Sequence, residues 1–189
     1  MEEEAGIVRY SPKEKEAGYV ISDTVVVKEG GVTRYFYNAI DVKTRFAFNL
    51  YYRELTSANN RHFYEQFKVC IRYTNTALCA NNRHFYEQFK EVYPFKIRKW
   101  QMDNGQENLK EFSNRLKEDK VRQLFSYPGC PKINAYVERY NRTLREEFIN
   151  NNGALIENEE EFNGLLVDYL VYYNSKRPHL SLNLKTPFR

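Results

Sequence analysis

The chain has 189 residues, of which 42% are hydrophobic, 29% charged and 16% aromatic, with a net charge of +4. This length suits one domain with a real core, and mild basicity is compatible with a polyanionic partner without naming one. Three cysteines with no CxxC pair exclude a disulfide framework or zinc finger and fit a reduced, cytoplasmic setting, and neither a secretory leader nor an apolar run long enough to cross a bilayer is present, so no membrane partner is expected.

Residues 1–18 are charged and carry a Ser-Pro step, so they read as an N-terminal arm or linker. Tyr19–Lys28 is a β-branched, apolar run and predicts a central strand. Asp23 sits inside it, and an acid there is costly to bury unless it is paired or holds a metal. The plain alternative for Asp23 is a hydrogen bond to a neighbouring loop. Glu29-Gly30-Gly31 predicts a hairpin turn, Val32–Val42 a second strand and Arg45–Arg53 a third, together an antiparallel meander. Asp41, at the end of the second strand, reads as a turn-former rather than a ligand.

The eleven residues ANNRHFYEQFK occur twice, at Ala58–Lys68 and Ala80–Lys90, with a period of 22 residues. Two perfect copies are not a solenoid, which needs several diverged repeats. Each copy has helical spacing, with Phe63, Tyr64 and Phe67, or Phe85, Tyr86 and Phe89, on one face. Thr56 or Ser57 is a candidate cap for the first copy and Thr76 for the second. The expectation is that one copy fills a helix slot against the sheet and the other is extra. His62 and His84 are copies of one surface position, not paired ligands.

Phe95–Met102 predicts a fourth strand, which stops at Asp103 and an Asn104-Gly105 turn. Asn108–Asp119 is amphipathic, and Val121–Tyr127 predicts a fifth strand. After the rigid loop Pro128–Pro131, Asn134 is a candidate N-cap for a helix running to about Phe148. On that helix Glu138, Arg142 and Arg145 share a face beside the apolar stripe of Val137, Tyr140, Leu144 and Phe148. Glu157–Tyr173 predicts a last amphipathic helix, and residues 176–189 a tail of turns. The predicted fold class is α/β: a five-stranded mixed sheet, three antiparallel strands first, flanked by helices, with the duplicated helix segment inserted after the third strand. The core is placed at residues 19–175.

Acids thus fall on the first strand, at the end of the fourth and on a later helix. An acid at the carboxyl end of a sheet strand, before a tight turn, stands where open α/β sheets place their sites. Asp23, Asp103 and Glu138 are therefore read as meeting around Mg²⁺ or Mn²⁺, hard cations that prefer oxygen ligands. Two ions, bridged by Asp23 and held on either side by Asp103 and Glu138, would serve to cut or join DNA. No His and Cys set competes, which argues against zinc.

With these residues in place, the chain resembles the DDE-type transposases of bacterial insertion sequences and, more distantly, retroviral integrases. Both have an RNase H-like catalytic core. The resemblance runs from about Tyr19 to Pro187 through ISDTVVVK, YNAIDVKTRFAF, QMDNGQE, YPGCPKINAYVERYNRTLREE and YNSKRPHLSLNLKTP. The 34 residues between Asp103 and Glu138 are close to the family's interval. The resemblance implies a polynucleotidyl transferase acting on transposon ends and target DNA, with Asp23, Asp103 and Glu138 as its metal-binding catalytic triad. It also implies a homodimer or higher oligomer. Lys132, Asn134, Arg139 and Arg142 match positions near the family's DNA-facing helix.

Three features depart from the family pattern. Ala135 stands where the family usually has Gly. The 79 residues between Asp23 and Asp103 fall to a more usual 57 when one 22-residue period is removed. No helix-turn-helix module precedes the core. Two further readings of the chain stand beside the first: a catalytically inactive DNA-binding or dimerising remnant, and an RNase H-like nuclease without joining activity. For Arg142, a phosphate contact and an i, i+4 pair with Glu138 are equal readings. Asn134 reads more readily as a helix cap, Glu107 as a first-turn acid, His179 as a packing residue of the tail and Cys130 as a small filler. The sequon Asn141-Arg142-Thr143 is a chance match.

Overall fold

The computed structural model describes residues 6–8, 13–52, 78–103, 111–127 and 131–188. Six strands form one sheet in the order β1-β6-β5-β2-β3-β4. They are β1 (Gly6–Val8), β2 (Tyr19–Glu29), β3 (Val32–Asp41), β4 (Ala47–Tyr52), β5 (Lys99–Met102) and β6 (Arg122–Ser126). β2, β3 and β4 form the expected antiparallel meander, while β5 joins β2 and β6 in parallel. Gly30 and Gly31 turn the β2–β3 hairpin at φ 56° and 80°, both left-handed, as a two-residue primed turn requires.

Two differences from the sequence reading concern strands. The sheet has six strands rather than five, because Gly6–Val8 pairs in parallel with β6, Ile7 opposite Phe125. Three residues are too few to show alternation, so the strand left no periodic signal. β5 begins at Lys99 rather than Phe95, because the chain bends at Phe95 and joins the ladder only beside Gly18. The Gly18 carbonyl accepts both Arg98 N–H (2.8 Å) and Lys99 N–H (3.0 Å). Gly18 itself holds φ 107°, and a β-carbon there would stand 2.3 Å from the Lys96 carbonyl oxygen, so only glycine fits.

Period-two alternation in β2 to β4 sorts side chains to two cores. Tyr19, Ile21, Phe36, Ile40, Ala47 and Tyr51 face one side. They pack against α3 (Ala135–Leu144) and α4 (Glu159–Ser175) through Val137, Tyr140, Leu144, Phe162, Leu166 and Tyr173. Val20, Tyr37, Ala39, Phe48, Leu50 and Tyr52 face the other side. There they meet α1 (Leu78–Val92) and α2 (Glu111–Glu118) through Phe85, Tyr86, Phe89, Phe112 and Leu116. The second copy of the repeat is thus a helix against the sheet. The first copy, with His62 and the candidate caps Thr56, Ser57 and Thr76, lies outside the described residues, as do Cys70, Glu107 and Cys130.

The second copy also bonds specifically to α2 and the turn after it. Lys90 pairs with Asp119, Arg115 pairs with Glu87, and Tyr86 Oη donates to Asp119 at 2.9 Å. α3 is preceded by a 3₁₀ turn, Pro131–Asn134, and continues through a π-type turn, Arg145–Ile149. No helix among the described residues is long and apolar enough to cross a membrane.

Candidate functional site

Asp23 stands on β2 on the face that packs against α3, two residues beyond Ile21. β2 and β5 run in parallel with Ile21 opposite Gln101. Continuing that register by two residues sets Asp23 abreast of Asp103, which directly follows β5 and is exposed. Glu138 lies exposed on the first turn of α3, whose Val137 and Tyr140 are buried against the same sheet face. Sheet register and helix packing therefore bring three acids, distant in sequence, to the carboxyl end of β5 beside the middle of β2.

Their proximity is electrostatic as well as topological. Burial pushes the Asp23 carboxyl above the ordinary carboxylate range, and the negative charges of Asp103 and Glu138 push it the same way. The Thr24 N–H and the Asn141 amide act in the opposite direction by hydrogen bonding. Asn141 Nδ2 donates to Asp23 Oδ2 at 2.8 Å, and Asn38 Nδ2 donates to Asn141 Oδ1 at 2.8 Å. Asn38 is also the cross-strand partner of Asp23. This chain of amides orients Asp23. Sequence reasoning missed both asparagines, although Asn141 sits three residues after Glu138, where a helix puts it on nearly the same face.

Carboxylate oxygens suit Mg²⁺ or Mn²⁺, and a cation would offset the like charges that add to the effect of burial on Asp23. As they stand, however, no three His, Cys, Asp or Glu side chains among the described residues are grouped tightly enough to hold one ion.

Beneath the acids lies a second polar network. Tyr19 Oη donates to Gln101 Oε1 at 2.7 Å, and Gln101 Nε2 donates to Ser126 Oγ (3.0 Å) and Asn134 Oδ1 (2.9 Å). Ser126 Oγ donates to Asn134 Oδ1 at 2.7 Å. Gln101 is fully buried, so these bonds tie the start of α3 to β2, β5 and β6 at a site where unmade bonds are costly. Asn134 precedes α3 in the N-cap position, but its side chain makes no cap bond. The expectation of a capping side chain fails because the buried network takes its oxygen.

Lys132, Arg139 and Arg142 are exposed around the start of α3. Among the described residues no ion pair joins Glu138 to Arg142, which leaves the i, i+4 reading without support. Asp41 is the turn-former expected: Oδ1 accepts from Lys43 N–H, Thr44 N–H and Thr44 Oγ1, and Oδ2 from Gly18 N–H and Tyr93 Oη. His179 packs edge-on against Tyr173 with centroids 4.7 Å apart, and burial lowers its pKa.

The family model described as "Integrase core domain" matches residues 119–187. The chain is 26% identical over 167 residues to "Putative integrase ORF3" of Spiroplasma virus SpV1-C74, covering 82% of this chain and 41% of that protein. It therefore spans about two fifths of the relative's length. Among solved structures, the HTLV-2 integrase catalytic core domain in complex with magnesium (trimeric form) superposes with a TM-score of 0.64 at 12% identity. That match covers 93% of this chain and 97% of the HTLV-2 chain. The BIV integrase catalytic core domain gives 0.61 at 16% identity, covering 92% of each. A chain of the simian T-cell lymphotropic virus intasome gives 0.68 at 13% identity, covering 99% of this chain and 58% of that one. In fold the chain is similar to the catalytic cores of retroviral integrases, and in sequence its residues 119–187 match the integrase core family model.

Proposed function

We propose that this chain is the catalytic core of a metal-dependent DNA transposase or integrase, which cleaves a DNA strand and joins the freed 3′ end to another. One observation supports this most: sheet register and helix packing bring Asp103 and Glu138 to Asp23, whose carboxyl is raised chiefly by burial and further by those two charges. In this reading Asp23, Asp103 and Glu138 hold Mg²⁺ or Mn²⁺, two ions in all. Divalent ions bound there supply activation of the attacking oxygen and charge stabilisation of the leaving one.

The protein contributes position and charge. Asn141, backed by Asn38, holds Asp23 facing the other two acids. Lys132 and Arg142 neutralise phosphates of the bound strand. Asn134, its oxygen already engaged, has only its amide nitrogen for a DNA contact. DNA partners are transposon ends and target, and the working form is a homodimer or higher oligomer. The HTLV-2 core, described in dimeric and trimeric forms, supports that expectation.

The test is an oligonucleotide assay that scores cleavage and joining separately with Mg²⁺ or Mn²⁺. Asp23→Asn abolishes both while leaving the fold intact. Full joining by this variant overturns the role of Asp23, and cleavage without joining by the unaltered chain makes it a nuclease instead.

A second reading, an inactive DNA-binding or dimerising remnant, has its own support: the three acids are not grouped tightly enough to hold one ion. Crystals soaked in Mn²⁺ separate the two, since a remnant gives no metal density between Asp23 and Asp103.

A further inference from the structure

A cavity of about 550 Å³ opens between the start of α3, the β3–β4 turn and the turn that follows α4. Arg45, Arg139, Arg177, Tyr136 and Tyr140 are among its lining. Arg177 is neutralised by Glu147, with Nε 2.8 Å from Oε2. Neither Arg45 nor Arg139 forms an ion pair among the described residues, so the cavity carries uncompensated positive charge.

Arg45 is held there at a cost. Its guanidinium lies over the Tyr136 ring, 4.3 Å from the centroid, and its Nε donates to Ser181 Oγ at 3.2 Å. Its Nη1 is buried without a hydrogen-bond partner. Its backbone takes φ 63°, in a turn closed by Arg45 N–H to the Asp41 carbonyl at 3.0 Å. Glycine is the residue that adopts this conformation without strain. Strain and an orphaned buried donor on one side chain are a cost that a ligand would offset.

The chemistry of the lining selects the ligand. The N–H groups of Arg45 other than Nε are unengaged among the described residues and match phosphate oxygens, and the Tyr136 face that Arg45 does not cover suits a base. The volume lies within the roughly 300–1,000 Å³ typical of small-ligand pockets, too narrow for a duplex. Arg139 follows Glu138 on α3, but none of the three acids is among the residues that line the cavity.

We propose that this cavity binds one unpaired nucleotide of a DNA strand, its phosphate on Arg45 and Arg139 and its base against the Tyr136 face opposite Arg45. The proposal deepens the DNA-processing reading and rests on it for the choice of DNA among anions.

The test is fluorescence anisotropy with the full chain in EDTA, comparing a blunt duplex with the same duplex carrying unpaired end nucleotides. The unaltered protein prefers the overhang. Arg45→Gly, which removes the guanidinium and relieves the strained φ, weakens overhang binding about tenfold. It also reduces the salt slope by about one. Arg139→Ala has a similar effect, and Arg45→Lys, which keeps the charge without the planar fork, falls between. A melting temperature for Arg45→Gly no lower than the parent's attributes the loss to binding rather than unfolding; if that variant unfolds, Arg139→Ala and Arg45→Lys carry the comparison.

An overhang preference that survives these substitutions overturns the proposal. So does tighter, Arg45-dependent binding of a poly-glutamate peptide, which would make the cavity a protein-docking site. With divalent ions chelated, the measurement stands apart from metal-dependent cutting: failure of either leaves the other to be judged separately.

Discussion

Asp23 and Asp41 are both strand aspartates, and their surroundings give them opposite tasks. Asp41 is fully buried and receives five hydrogen bonds, which use both oxygens and leave no place for a cation. Asp41→Asn turns an acceptor into a donor facing other donors, so it costs about 2 kcal/mol or more, read by urea unfolding. Asp23 receives one side-chain hydrogen bond and faces two like charges. The folded protein holds its proton more tightly than the unfolded chain does. That contribution to stability is full below the unfolded pKa and is lost as pH rises through the raised folded pKa. Asp23→Asn therefore raises the melting temperature of the metal-free protein at neutral pH, and the gain shrinks as pH falls. A lower melting temperature at neutral pH would contradict this account.

At the scale of elements, the repeat is the informative case. Its second copy packs as α1 because Phe85, Tyr86 and Phe89 recur at helical spacing and meet Trp100, Phe46 and Phe48 in one aromatic core. Phe89 is fully buried, so Phe89→Ala leaves a cavity and costs about 3–5 kcal/mol in denaturant titration. Glu87 and Lys90 reach Arg115 and Asp119, ion pairs whose contribution is small because their side chains are partly exposed. Lys90→Ala should therefore change stability by less than about 1 kcal/mol, and a loss as large as that of Phe89→Ala would show that the pairs, not the rings, hold α1.

At the scale of the molecule, two cores share one sheet, and Asp23 and Asp103 belong to its central strands or directly follow them. Trp100, the only tryptophan, is buried in one core and its indole Nε1 donates to Ser22 Oγ at 2.9 Å, one residue from Asp23. Its fluorescence therefore follows global unfolding. In that readout Mg²⁺ or Mn²⁺ raises the unfolding midpoint of the parent chain, growing with the logarithm of concentration, because ligand binding to the native state stabilises it. Asp23→Asn removes the rise. No shift in the parent chain would favour the inactive remnant.

Five of the six strands, the helices and the turn role of Asp41 were legible in the residues. They rest on local patterning: β-branched runs, period-two and 3.6 spacing, and a Gly-Gly turn. Tertiary structure alone decided the rest. It paired Gly6–Val8 with β6, drew Asn134 from its cap into the Gln101 network and set Asn141 against Asp23. It also put Arg45 beside Arg139 at one cavity. Each of these joins residues far apart in the chain, and side-chain patterning carries information about the face a residue occupies, not about which distant residue it will meet there.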